Sequence, residues 1–286
     1  MLTLTLSVTA AVRTERTTMK HFAQAVKIQA VADVRSQILG ISALNILIMP
    51  TIWVILGRWM SGTVEGFGVT AGHFLIAGSL VGFSAMIAYQ IAAETFNEYR
   101  AGTLLRVRTL PQGVKIWTTA KLLTAAIVTL VTQLLIFVAT IFFIPGFELT
   151  WAKVGLLIPC LLLTLLASAP LGFIMGAFMR STVASLIGMI AFMGLMIASG
   201  IFFPIDILPG WVQGISKCLP IYHGGVLSRW VFIETPEPVL ISTIVLAVWF
   251  IVGIVVARKV ITMSFSKVSL GEIARAQQDL KSALGM

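Results

Sequence analysis

Six apolar runs, 37–57, 74–93, 122–144, 154–179, 183–203 and 239–257, cross this chain, and none of them contains an Asp, Glu, Lys, Arg or His. Each is about 20 residues or longer, enough for a helix to cross roughly 30 Å of hydrocarbon. Backbone groups in lipid must find their partners within the segment, so the runs are expected to be helical. Charged residues make up only 11% of the sequence, against about 25% in soluble domains. The expectation is an all-α membrane protein with six transmembrane helices. The missing charges narrow its function. Carriers driven by ion gradients usually hold acidic or histidine side chains inside the bilayer. If this chain moves a cargo uphill, its energy is expected to come from elsewhere.

The net charge of +9 does not point to nucleic acid, because the basic residues sit between the apolar runs. Segments 1–36, 94–121, 180–182 and 258–286 hold all of them except Arg58, Lys153, Lys217 and Arg229. Acidic residues divide almost evenly. A bias carried by Lys and Arg alone puts both termini and the 94–121 loop in the cytoplasm, and anionic lipid is the natural counterpart of such segments. The chain divides into a cytoplasmic N-terminal part, 1–36, a six-span unit, 37–257, and a cytoplasmic tail, 258–286. No secretory signal is expected at the N-terminus, and Met19 is a candidate start.

Three connecting segments carry information. In 18–36, Phe22, Val26, Gln29 and Ala30 share one helical face, as in a helix lying in the cytoplasmic interface, an N-terminal amphipathic interface helix. An ordinary cytoplasmic helix has the same pattern. In the 94–121 loop, Phe96, Tyr99 and Thr103 share a face beside Glu98 and Arg100, before Pro111, Gln112 and Gly113 break the segment. Such a helix suits a groove in a partner, and a connector lying on headgroups would read the same way. The stretch 199–225 is too apolar for a free loop and too rich in proline for one spanning helix. Short helices dipping back into the outer leaflet fit it, packed against protein, with Trp211, Tyr222 and Trp230 in the headgroup zone.

These last two segments resemble the permease subunits of type-2 ABC exporters, a group that includes bacterial drug, antibiotic, polysaccharide and lipid exporters. The resemblance rests on Gly200-Ile201-Phe202-Phe203-Pro204, on Leu208-Pro209-Gly210-Trp211 and on Leu219-Pro220 before the last span. It rests also on Glu98, Arg100, Gly102, Thr103 and Leu104 in the cytoplasmic loop, where Tyr99 separates the acidic and basic residues. It covers most of residues 20–260. It implies a cytoplasmic coupling helix at roughly 94–105, with Glu94, Phe96, Glu98, Tyr99, Arg100, Gly102, Thr103 and Leu104 facing the ATPase. It also implies a re-entrant outer hairpin before the last span, built on Gly200, Phe202, Phe203, Pro204, Leu208, Pro209, Trp211 and Pro220. Two permeases, identical or paralogous, would pair with separate ATPase subunits in the bacterial inner membrane, and ATP and Mg would be held by those partners.

The residues themselves agree with a subunit that does not hydrolyse ATP, because no Gly-x-x-x-x-Gly-Lys-Ser/Thr loop is present. Asn45, Tyr89, Gln90, Gln133 and Thr164 are polar groups inside the runs. They either line a substrate path or bridge helices. Gly172 and Gly176, four apart, suit close helix packing. His21, His73 and His223 lie in separate segments, Cys160 and Cys218 lack ligand spacing, and no metal site or disulfide is expected. An intramembrane enzyme is disfavoured by the lack of a His-Glu-x-x-His motif, a Ser/His pair or an acidic cluster. A non-transport membrane scaffold stays open. Cargo is expected to be a small amphipathic drug-like molecule or a lipid. A glycan is the alternative, for which three tyrosines are few.

Overall fold

The computed structural model describes residues 2–40, 42–147, 150–234 and 238–267. Helix α1 (Leu2–Leu39) leads into α2 (Ser42–Trp59). A small antiparallel hairpin follows, β1 (Thr63–Val64) with β2 (Val69–Thr70). It is the one departure from an all-helical chain among the described residues. Next come α3 (Ala71–Gly82), a 3-10 turn at Phe83–Met86, α4 (Ile87–Arg100), α5 (Thr103–Thr109) and α6 (Gly113–Phe143). The remainder is α7 (Trp151–Phe178), α8 (Thr182–Ala198), α9 (Gly210–Ser216), α10 (Pro220–Ile233) and α11 (Val239–Lys267).

Four helical stretches are long and apolar enough to cross a membrane: Ala71–Arg100, Gly113–Phe143, Trp151–Phe178 and Val239–Ser264. Against the six runs read from sequence, α2 and α8 are apolar but shorter. The first run loses 37–39 to α1. The fifth stops at Ala198, because Gly200 turns the chain at φ +71, a region open to glycine and costly for other residues. The second run does the opposite. Its helix continues past Ala93 through Glu94 and Glu98, whose carboxylates both pair with Lys121 on α6.

Polar caps and prolines set several boundaries. Thr70, Thr150 and Ser181 accept hydrogen bonds from the backbone N–H of His73, Lys153 and Ala184, satisfying donors that a helix start leaves open. Pro220 begins α10, where its missing N–H is not needed.

Helix α7 is central, packed on α4, α10 and α11, with α10 also against α3 and α6 against α1 and α2. One end of the bundle gathers α1, α5, the start of α6 and the last turns of α11; it is called here the basic end. The other, the hairpin end, gathers β1, β2, α9 and α10. Trp117, Ile91, Leu165 and Phe173 fill the core towards the basic end. Ile76, Leu80, Ile136 and Leu157 fill it towards the hairpin end. The helical face of Phe22, Val26, Gln29 and Ala30 is real, but Val26 and Ala30 are buried against Ala120 of α6. The face assigned to the lipid interface packs on protein.

The break between α3 and α4 frees backbone groups in an apolar setting, and side chains from elsewhere meet them. Gln133 Nε2 donates to Leu80 O at 3.0 Å, and Ser228 Oγ accepts from Val81 N at 3.1 Å and donates to Ala77 O. Gly172 and Gly176 let α7 lie directly on α4: a Cβ at Gly172 would fall 2.4 Å from Ala88 O.

Candidate functional site

Polar residues at four-residue spacing occur on three helices near the basic end. Gln90, Glu94 and Glu98 line one face of α4, Asp33 and Gln37 one face of α1, and Trp117 and Lys121 one face of α6. The fold brings the three faces together around Lys121. Its ammonium lies 2.6 Å from Glu98, 3.0 Å from Glu94 and 3.0 Å from Asp33. The Lys121 side chain is only 5% exposed, so these are contacts largely out of water.

One cation faces three carboxylates, and neutral donors stabilise the excess negative charge. The Trp117 indole donates to Glu98 and the Gln37 amide to Glu94. Gln90 Nε2 donates to Gln37 Oε1 at 2.9 Å and to Glu94 Oε1 at 3.2 Å. Hydrogen bonds to ionised acceptors are stronger than neutral ones, and this network fixes α1, α4 and α6 to one another. Sequence reading singled out Glu94, Glu98 and Gln90 but missed Asp33, Gln37, Trp117 and Lys121. The repeated i, i+4 spacing of polar groups on three neighbouring helices was the available signal.

Directly beyond the cluster the chain makes an elbow. Helix α4 ends at Arg100, Gly102 turns at φ +73 and α5 begins at Thr103. The segment 94–105 is therefore the end of one long helix plus the first turn of another, and not a free-standing helix. Nor do the aromatic residues face outward: Phe96 and Tyr99 are 4% and 3% exposed. Phe96 packs on Ala92 and Met179. Tyr99 lies beneath the Arg180 guanidinium at 4.7 Å, and Arg180 in turn donates to Ser264 Oγ of α11 at 2.6 Å. Leu104 is buried with Val107 and Trp117. The outward surface of the elbow is formed by Asn97, Thr103, Arg106, Thr109, Leu110, Pro111 and Gln112. At its tip Gln112 holds φ +54, a conformation uncommon for a residue with a Cβ.

At the hairpin end the proline-rich segment forms a compact unit. Pro204 and Pro209 precede the 3-10 turn at Ile205–Ile207 and α9, and Pro220 opens α10. Phe202 packs edge-on to Trp53 at 5.3 Å and lies near Phe83. Phe203, Pro204 and Leu208 are half-buried, while Pro209 and Trp211 are exposed. Arg229, which sequence reading did not assign to this unit, and Ile201, part of the quoted motif, hold it in place. Arg229, 4% exposed, donates to Gly200 O at 2.9 Å, its guanidinium over the Phe74 ring. Ile201, fully buried, fills a socket floored by Gly78, Gly82 and Gly225. His223 bonds Lys217 O and Ser242 Oγ, and Trp249 of α11 donates to Cys218 O at 2.7 Å.

Among the described residues considered for a substrate path, Tyr89, Gln90 and Gln133 each meet different partners. Tyr89 stacks on Phe192 of α8 at 5.7 Å, Gln90 joins the Lys121 network, and Gln133 serves the α3–α4 break. The Asn45 side chain lies outside the described residues. Among the described residues no three His, Cys, Asp or Glu side chains are placed to hold a metal ion; the three carboxylates that do meet are joined by the Lys121 ammonium.

No curated protein matches the chain. The family model of the ABC-2 type transporter matches residues 35–233, well over half of the sequence. The match runs from the end of α1 to the end of α10 and takes in both the Glu94–Lys121 region and the proline-rich unit. A multi-pass helical membrane protein without a phosphate-binding loop, matched by that model over this length, belongs to the ABC-2 type transporter family as a transmembrane permease subunit.

Proposed function

We propose that this permease is the membrane part of an ATP-driven exporter, in which separate ATPase subunits holding ATP and Mg dock on the elbow between α4 and α6. The observation that carries the reading is the Lys121 cluster. It ties the elbow to α1, α4 and α6, so a push on the elbow moves three helices together, as a two-state transporter requires. The docking surface is the outward edge from Thr103 to Gln112, not the buried pair Phe96 and Tyr99. The basic end lies in the cytoplasm of a bacterium, with both termini on that side, and the hairpin end faces outward across the inner membrane. Two permeases, identical or paralogous, enclose the path. The unpartnered apolar face of α8, where Leu186, Ile190 and Ile197 are exposed, is available for the second copy or for lipid. Cargo is a small amphipathic drug-like molecule or a lipid. The charge-free apolar runs suit it better than a glycan.

The test is affinity purification of tagged protein in mild detergent, with mass identification of its companions. Wild type is expected to bring down an ABC ATPase in stoichiometric amount. Arg106→Glu with Leu110→Ser, both at exposed positions, is expected to lose it with an unchanged melting temperature. Retention by the variant would sink the docking assignment. Wild type purifying without an ATPase would sink the exporter reading.

A further inference from the structure

Between α6 and α11, over the face of α7, runs a groove of about 820 Å³ that is separate from the proline-rich unit and touches the elbow only at Arg108. Its polarity follows the direction of the helices. At its mouth, at the basic end, stand Arg108 of α5, Lys115 of α6 and Arg258 of α11. No carboxylate lines it among the described residues. Its deeper walls are apolar, with Leu122 from α6, Leu166 and Phe173 from α7, and Phe250 and Ile254 from α11. From Arg258 to Phe250 α11 rises about 12 Å along its axis. The hydroxyls of Thr118, Thr119 and Thr262 are turned back to carbonyls of their own helices, and the charged side chains of its lining are all basic. On one flank the groove is bounded where α11 meets α7: a Cβ at Gly253 would lie 2.9 Å from Pro170.

Three cations above an apolar groove match one kind of molecule, an anionic head on apolar chains. We propose that this groove binds a single anionic phospholipid, its phosphate among Arg108, Lys115 and Arg258 and its acyl chains along α7 between α6 and α11. Basic pockets between membrane helices recognise such headgroups, each Lys or Arg contributing about 1 kcal/mol near the surface. A zwitterionic lipid fills the slot but gains little from the cations, and a free phosphate gains from the cations but not from the slot. Since α5, α6 and α11 all contribute, an occupied groove braces the helix that follows the elbow against the last helix of the bundle.

The experiment is a titration of purified full-length protein in mild detergent with phosphatidylglycerol carrying a fluorophore on its acyl chain, against phosphatidylcholine labelled in the same way. Detergent has no leaflets, so the result does not depend on the orientation or the drive proposed above. Saturable phosphatidylglycerol binding is expected, with phosphatidylcholine much weaker. Replacing Arg108, Lys115 and Arg258 together by Gln is expected to weaken it roughly 100-fold. Lys20→Gln with Lys27→Gln and Arg35→Gln removes equal charge from α1 and is expected to leave it unchanged. Ile254→Trp, at a half-exposed position on the wall, is expected to abolish it with the cations intact. Equal binding of the two lipids, displacement by glycerol phosphate alone, or full binding by the triple groove variant with an unchanged melting temperature would each overturn the proposal.

Discussion

Lys121 has a role in the fold out of proportion to its place in the sequence, where it reads as one basic residue before an apolar run. Three carboxylates reach it from two other helices, and its ammonium is the ion-pair partner of all three. Removing one partner of a buried ion pair costs more than forming the pair contributes, since the remaining charges are left without compensation. Lys121→Met is therefore expected to destabilise the protein by about 3–5 kcal/mol, seen as a lower melting temperature in detergent. Adding Asp33→Asn, Glu94→Gln and Glu98→Gln should recover most of the loss. If the single variant melts like wild type, the cluster is not holding α1, α4 and α6 together. The contributing residues were half legible in sequence. Glu94 and Glu98 could be singled out on their own helix, but which cation would meet them is a long-range fact. Phe96 and Tyr99 mislead for the same reason. Amphipathic spacing shows that a helix has two faces, and not which of them α8, α11 or Arg180 will cover.

At the scale of elements, apolar run length set the positions of the helices well and their ends poorly. Glu94 and Glu98 end the second run in sequence, yet the helix continues through them because paired charges no longer stop it. The interruption at Phe83–Met86 left no mark that reading by hydrophobicity could find, since every residue there is compatible with helix. It is visible only through the side chains that service it, Gln133 and Ser228, from distant parts of the chain. The Gly172–Gly176 pair was legible as a spacing and acquires meaning from what faces it. Gly172→Ala drives a methyl into the Ala88 carbonyl, and overpacking of this kind costs typically ~1–3 kcal/mol. Gly155→Ala, on the same helix with open space around it, is expected to be neutral or slightly stabilising. Comparing the melting temperatures of the two variants checks this. Equal values would show that α7 and α4 separate freely there.

For the whole molecule, the strongest sequence signal concerned sidedness, and nothing within the chain's own packing depends on it. The uneven distribution of Lys and Arg is read by the membrane, so it calls for a measurement in one. Cys218 is exposed at the hairpin end, while Cys160 is half-buried within α7. In a Cys160→Ala background, a membrane-impermeant maleimide added to intact cells is expected to label Cys218. A cysteine introduced as Asn97→Cys on a chain with both native cysteines replaced should label only in inverted vesicles. The reverse pattern would invert the proposed orientation. The proline-rich unit was legible because proline, glycine and aromatic residues occur at fixed offsets. The anchoring roles of Arg229 and Ile201 were not, because each depends on a partner elsewhere: Phe74 for the first, and Gly78 and Gly82 for the second.

Helix α8 stands apart from this tightly joined frame. Its two ends are held, one beside Arg180 and its bonds to Ser264, the other at the Gly200 carbonyl held by Arg229. Within α8 only Phe192 and Met196 are buried; at its far end Ser199 is buried and Ser216 Oγ donates to Ala198 O at 2.7 Å. In a lipid environment there is no hydrophobic penalty for exposing apolar side chains, and helices associate through packing and polar contacts alone. Swinging α8 away from α4 therefore exchanges the contacts of two side chains for contacts with lipid tails or with a neighbouring copy. Every other long helix would have to break an ion cluster, a glycine crossing or a hydrogen-bonded stitch to move as far. The chain thus carries one hinged panel in a rigid frame, and an opening along its flank comes at that panel first.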